Sequence, residues 1–287
     1  MSLHGTGWTS PTTRSEVRLL GFLALNNACP HAREKLAAQL WSDAPPERAR
    51  GALKTALWRL RRAIEPGRAD RGRFLTATAG EIGLNWSADI RCDAVAFQRA
   101  HARRGDISRC PDAFAALDSG VAGLEGELLE GYYDDWVILE RERLNAARSR
   151  ALFALMVATR DAGEYERALI YGRRILDRDP LRESVHREVI RLYLKLGQRV
   201  QALRQYEFCT RIIAEELGIA PMPETRALRA EIATREALAA PKTHSCSADA
   251  ELDRALRRVE AALQELALSH ADLAARISER DDRPVTH

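Results

Sequence analysis

Between Glu47 and Ile64 the chain sets six lysines and arginines against one acid. Guanidinium forks match phosphate oxygens and the O6/N7 edge of guanine, so this composition has the chemistry to grip a nucleic-acid duplex. Drawn as a helix, the stretch gathers Arg48, Gly51, Lys54, Thr55, Trp58, Arg59 and Arg62 on one side. Arg50 and Arg61 fall at the flanks of that side. The other side holds Ala49, Leu53, Ala56, Leu57, Leu60 and Ile64 at steps of three and four, a core-facing stripe. A solvated basic face is the plain alternative reading of the same pattern.

Other elements must position that face. Leu36, Leu40 and Trp41 mark one side of a short helix just before it, and Ser42-Asp43-Ala44-Pro45-Pro46 makes the turn. Glu47 suits the positive end of the basic helix, and Pro66-Gly67 stops it. Upstream, Glu16 to Asn27 reads as an apolar helix with Leu19, Leu20, Leu23 and Ala24 inward. Downstream, Phe74–Thr78, a turn at Ala79-Gly80-Glu81 and Ile82–Leu84 read as a β-hairpin. Three helices and a hairpin predict a winged helix-turn-helix, whose second helix of the pair enters the major groove. Arg68, Arg71 and Arg73 lie at the base of the wing, within reach of phosphates.

The charge is placed to match. Residues 1–92 hold fourteen Lys/Arg against eight Asp/Glu, a net +6, whereas the remainder holds thirty against thirty-three, a net −3. At 287 residues, 46% apolar and 30% charged, the chain has room for two folded domains and a tail, and is not disordered throughout. No signal pattern or bilayer-length apolar run is present, so a cytoplasmic, nucleoid-associated protein without membrane contact is expected. Cys29, Cys92, Cys110, Cys209 and Cys246 are scattered, as reduced thiols rather than a disulfide frame or zinc site.

Enzymatic signatures are missing: GxxxxGK[ST], GxGxxG and HExxH do not occur. No catalytic residue, metal or cofactor is therefore expected. Glu183-x-x-His186 has the spacing of half a di-iron site but lacks its second copy, and reads as a helix surface pair. Asp134-Asp135 reads as a helix cap.

From Asp93, expected to cap a helix, the chain turns almost wholly helical. Gly163–Leu169 (GEYERAL) matches Gly197–Leu203 (GQRVQAL) at an offset of 34 residues, the tetratricopeptide period. Asp179-Pro180 closes the first unit, while Ala214 stands at the corresponding place in the second. Two units are too few to stack alone, so helices in 93–160 and 224–238 must complete the array. Tyr165, Tyr171, Tyr193 and Tyr206 fall at packing positions. Last comes a heptad seam of Leu252, Leu256, Val259, Leu263, Leu266, His270, Leu273 and Ile277. It predicts a coiled coil and a homodimer; folding back on the repeats is the alternative.

Arg33-Glu34-Lys35-Leu36, Leu40-Trp41, Ala49-Arg50 and Trp58–Arg62 together resemble the DNA-binding domain of SARP/AfsR-type bacterial activators, whose fold is like that of OmpR. Asp93–Phe97, Gly126–Gly131, Trp136 with Glu140–Leu144, Asp179–Glu183, Glu216–Ile219 and Pro223–Thr225 resemble the bacterial transcriptional activator domain. The resemblance implies a mainly α protein in four parts. Residues 1–90 would be an OmpR-like winged helix, 91–238 a tetratricopeptide-like domain, 239–248 a linker and 249–281 the heptad helix. It also implies a transcriptional activator that binds promoter repeats in double-stranded DNA and recruits RNA polymerase. Arg48, Lys54, Thr55, Arg59 and Arg62 become its recognition contacts.

Three departures stand out. Few residues precede Glu16 for an OmpR-like N-terminal sheet; the wing tip carries Glu81 where such wings often have arginine; and Trp58 replaces a small polar residue. Trp58 would touch a thymine methyl or sugar or, as favoured here, pack on the second domain. The second hypothesis is an interaction scaffold whose winged helix no longer reads DNA. Removing residues 249–287 should lower the mass measured by light scattering; an unchanged mass would favour the fold-back arrangement.

Overall fold

The structure, a computed structural model, describes residues 3–5, 8–9, 13–27, 29–67, 69–105, 107–124 and 126–239. It is mainly helical. Strand β1 (Leu3–Gly5) precedes α1 (Arg14–Leu25), β2 (His31–Ala32), α2 (Arg33–Leu40) and α3 (Pro46–Ile64). Next come β3 (Leu75–Ala77), β4 (Glu81–Leu84) and β5 (Ile90–Cys92). Seven helices complete the described chain: α4 (Asp93–Ala102), α5 (Pro111–Ala122), α6 (Asp135–Asp161), α7 (Tyr165–Leu176), α8 (Glu183–Lys195), α9 (Arg199–Leu217) and α10 (Pro223–Ala239). Residues 1–232 form one compact unit and 233–287 a second. Arg68, Cys246 and the heptad positions Leu256, Val259, Leu263, Leu266, His270 and Leu273 lie outside the described residues.

The basic stretch folds as its periodicity requires. Pro46 occupies the first turn of α3, where a missing N–H costs nothing. Ala49, Leu53, Ala56, Leu57, Leu60 and Ile64 are buried, against α1 and α2. The end of α3 is tied down twice. Thr9 donates its backbone N–H and its hydroxyl to the Ala63 carbonyl, both at 2.9 Å. The buried Glu65 carboxylate accepts the N–H groups of Phe74 and Leu75, each at 2.8 Å, and so fixes where β3 begins.

β4 is the middle strand of an antiparallel sheet, with Leu75 facing Leu84 on one side and His31 facing Ile82 on the other. Strand β2 is two residues long and was not anticipated; neither was β5, which pairs with β1 (Leu3 opposite Cys92). α1 begins at Arg14 rather than Glu16.

In the helical half, α6 packs on α7, α7 on α8 and α8 on α9. The two repeat glycines do the same job. Gly163 (φ +80°) and Gly197 (φ +71°) are left-handed, and the next residues' N–H groups return to Thr159 and Tyr193, each at 2.9 Å. Ala168 and Ala202, five residues on, are wholly buried. Gly172 lets α7 approach α8: a Cβ there would sit 2.6 Å from Val189 Cγ2. Tyr171, Tyr193 and Tyr206 are core residues, with Tyr165 packed at the edge.

The loop before α6 is organised by one buried arginine. Arg141 donates to the carbonyls of Leu128 (3.0 and 3.1 Å), Leu129 (3.1 Å) and Tyr132 (3.1 Å), and meets Glu127 at 3.1 Å. Leu129 is held at a left-handed φ of +48° in this loop, a conformation that costs a non-glycine residue on the order of 1 kcal/mol or more.

Three expectations need correction. Asp134 precedes α6 as its N-cap residue, but its carboxylate makes no cap bond and pairs with Arg18 instead. The residue capping α4 is Cys92; Asp93 is the first residue of the helix, bonded to the Ala94 N–H at 2.6 Å. His186 is no surface residue: it is fully buried, while Glu183 accepts the Met222 N–H at 2.6 Å. The imidazole is satisfied as a neutral ring, Nε2–H donating to the Pro180 carbonyl (2.8 Å) and Nδ1 accepting from the Gln205 amide (2.7 Å).

Burial, chiefly, lowers the His186 pKa, against weaker opposing effects from Pro180, Glu183 and Asp179. The unfolded chain therefore takes up this proton before the folded one does. Stability is full above the ordinary histidine value of about 6.5 and falls as pH drops below it. The melting temperature should decline from pH 7 to pH 5, and less so in His186→Gln; equal slopes in the two proteins would contradict this.

Candidate nucleic-acid interface

The outward side of α3 collects most of the residues singled out from the sequence. Arg48, Lys54, Thr55, Trp58, Arg59 and Arg62 are all exposed, as is Gly51 between them. Arg48, Lys54, Arg59 and Arg62 form no ion pair among the described residues. Trp58 is 57% exposed, and the Arg62 guanidinium lies over its ring at 5.1 Å. It does not pack on the helical half as favoured above, because the junction between the halves is built by α1. Thr55 donates its hydroxyl to the Gly51 carbonyl at 3.0 Å, which leaves its oxygen free to accept.

The remaining candidates are more engaged. Arg50 pairs with Glu47 one turn earlier. Arg61 is only 25% exposed, its Nε 4.0 Å from the buried Glu65, so it belongs as much to the core edge as to the surface. In the loop before β3, Arg71 is exposed, whereas Arg73 lies 3.6 Å from Asp70 and over the Phe74 ring at 4.8 Å. The exposed cations thus span α3 and the base of the β3–β4 hairpin.

The hairpin tip is anchored from α2. Arg33 gives its backbone N–H to Gly80 (2.9 Å) and its Nε–H to the Thr78 carbonyl (3.0 Å). Glu81, beside the tip, is exposed. No sequence signal marked Arg33 for this role, since its acceptors are backbone atoms 45 and 47 positions away. Arg14 and Arg18 were missed for the same reason. Arg14 donates to the Gly131 carbonyl at 2.8 Å and sits over Tyr132 at 4.7 Å. Arg18 bonds the Leu40 carbonyl, pairs with Asp134 and lies over Trp41 at 5.8 Å. Phe22 meets Trp136 edge-on at 5.2 Å.

Nothing in the described residues gathers three or more metal-ligating side chains. Burial pushes the thiols of Cys92 and Cys209 up, to about 11 and about 12, so neither is a ready nucleophile at neutral pH. No described helix is long and apolar enough to cross a membrane.

Residues 92–233 match the bacterial transcriptional activator domain. Over 229 residues the chain is 30% identical to the regulatory protein AfsR of Streptomyces coelicolor, covering 78% of this chain but only 22% of that much longer protein. It is 26% identical to the transcriptional regulatory protein MoaR1 of Mycobacterium tuberculosis, covering 79% of this chain and 74% of MoaR1. A solved structure of M. tuberculosis EmbR in complex with a low-affinity phosphopeptide shares the fold, with a TM-score of 0.62 and 22% identity over 79% of this chain and 61% of that one. An activator-domain match following an N-terminal half of this kind, with such relatives, places the chain in the SARP/AfsR-type family of bacterial transcriptional activators.

Proposed function

We propose that this protein is a sequence-specific DNA-binding transcriptional regulator, an activator without enzymatic activity that works in the cytoplasm on the nucleoid. In this reading residues 1–90 are a winged helix-turn-helix. α2 and α3 are its helix pair, α3 enters the major groove, and the β3–β4 hairpin is the wing. The helices from α4 onward are a tetratricopeptide-like array that contacts RNA polymerase or a second copy of the chain.

The observation that carries the proposal is the row of exposed cations on α3 with no acid to neutralise them. A fold that only needed solubility would gain by pairing them, as it does for Arg50. A duplex supplies the missing charge and releases counterions, which makes binding favourable and salt-sensitive. The Trp58 ring beneath Arg62 restrains one guanidinium fork, which favours bidentate recognition of guanine. Gly51 adds to this. A Cβ there would meet nothing within 4 Å, so packing does not call for a glycine in mid-helix. Close approach of a phosphate backbone does.

A scaffold reading rests on the acidic wing tip and the short N-terminal sheet. It predicts no selective binding to DNA. Gel shifts with genomic fragments should instead show sequence-selective complexes that weaken steeply with salt. Arg59→Ala and Arg62→Ala should each weaken the specific complex, by about 1–3 kcal/mol where the contact is bidentate to a base. Their melting temperatures should stay near that of the parent protein. Unchanged binding in both variants would remove α3 from the interface.

A further inference from the structure

A second cluster of cations lies in the helical half. Arg148 and Arg150 on α6, Arg174 on α7, and Arg178 and Arg182 in the connection to α8 line a groove of about 620 Å³. Several arginines elsewhere on these helices find acids: Arg160 and Arg191 each reach Glu188 at 2.7 Å, and Arg167 reaches Asp118 at 2.9 Å. Here they do not. Glu142 and Asp179 also line the groove, yet none of the five arginines forms an ion pair among the described residues. Arg178 donates to the Asn145 side-chain oxygen at 3.1 Å, and Arg182 to the Ser149 hydroxyl. Arg148 Nε is cut off from solvent and has no hydrogen-bond partner. Burial first, then the charges of Arg178 and Arg174, lower the Arg148 pKa.

We infer that this groove binds a small di- or polyphosphate, which supplies the negative charge that the fold leaves out. Crowded guanidiniums with an orphaned buried N–H are costly without an anion, and phosphate oxygens are the acceptors that their forks fit best. The volume lies in the range of small-molecule sites. Five arginines against two carboxylates leave about three positive charges, close to what pyrophosphate carries near neutral pH and more than a single phosphate monoester neutralises. The apolar residues of the lining are Ala146, Leu152 and Ile175, against seven charged ones, so charge sets the ligand class. The buried Arg148 N–H favours a compact anion that enters the groove over a duplex lying across it. This inference does not depend on the reading of α3.

Calorimetric titration of pyrophosphate into the full chain at low salt tests it, with two double variants alongside. Binding should persist in Arg59→Ala/Arg62→Ala and weaken at least about tenfold in Arg174→Gln/Arg178→Gln. Without anion, the groove variant should melt at or above the parent temperature, because like charges have been removed. With pyrophosphate, only proteins with an intact groove should gain melting temperature. The inference is overturned by an absence of binding in the parent, by loss of binding in the α3 variant, or by undiminished binding in the groove variant. Tighter binding of an oligoglutamate peptide than of pyrophosphate would overturn it too. So would a groove variant that melts lower without anion, which would make the arginines structural.

Discussion

The guanidinium of Arg18 joins two parts of the chain that are far apart in sequence. It bonds the Leu40 carbonyl at the end of α2 and pairs with Asp134 at the start of α6, and both side chains are only 19% exposed. A charged hydrogen bond in such a half-buried setting contributes on the order of 1.5–3 kcal/mol, more than the usual surface pair. Around it, Arg14 holds the Gly131 carbonyl and Phe22 meets Trp136 edge-on. Gly131 lies in the loop that Arg141 gathers, and Asp134 and Trp136 follow that loop into α6. α1 is thus held by the helical half on one side, while α3 packs against it on another. That arrangement spends the apolar stripe of α3 on the core and turns its basic side to solvent.

Two kinds of arginine follow. Those that build the fold are matched to carbonyls, acids or rings: Arg14, Arg18, Arg33 and Arg141 between elements, and Arg160 and Arg167 between helices. Among those without such a match, two groups stand close together, on the outward side of α3 and in the groove between α6 and α7. A chain with a formal charge of only +3 can satisfy nearly all of its cations internally. In the proposed reading an external anion is the partner of each group, a duplex for the exposed row and a compact phosphate for the recessed cluster.

Much of this was legible in the sequence. Helical spacing fixed the inward and outward sides of α3, because burial repeats every three to four residues. The 34-residue echo located both left-handed glycines, because only glycine takes that turn without strain. What could not be read were contacts between distant segments. The two-residue strand β2 has no period to detect, and the Arg18–Asp134 pair looks from sequence like an ordinary helix cap. Trp58 was misplaced because a large aromatic residue usually seeks a core; here it serves as a platform for Arg62. His186 was misjudged because its partners, Pro180 and Gln205, are a turn and a helix away.

Site-specific photo-crosslinking from α3 reaches the central claim most directly. A photoreactive phenylalanine analogue at position 58, in the full chain bound to a selected promoter fragment, should couple to DNA. The same analogue at position 170, exposed on α7, should not. Coupling at position 58 to protein alone, under conditions where the complex is fully formed, would contradict the account.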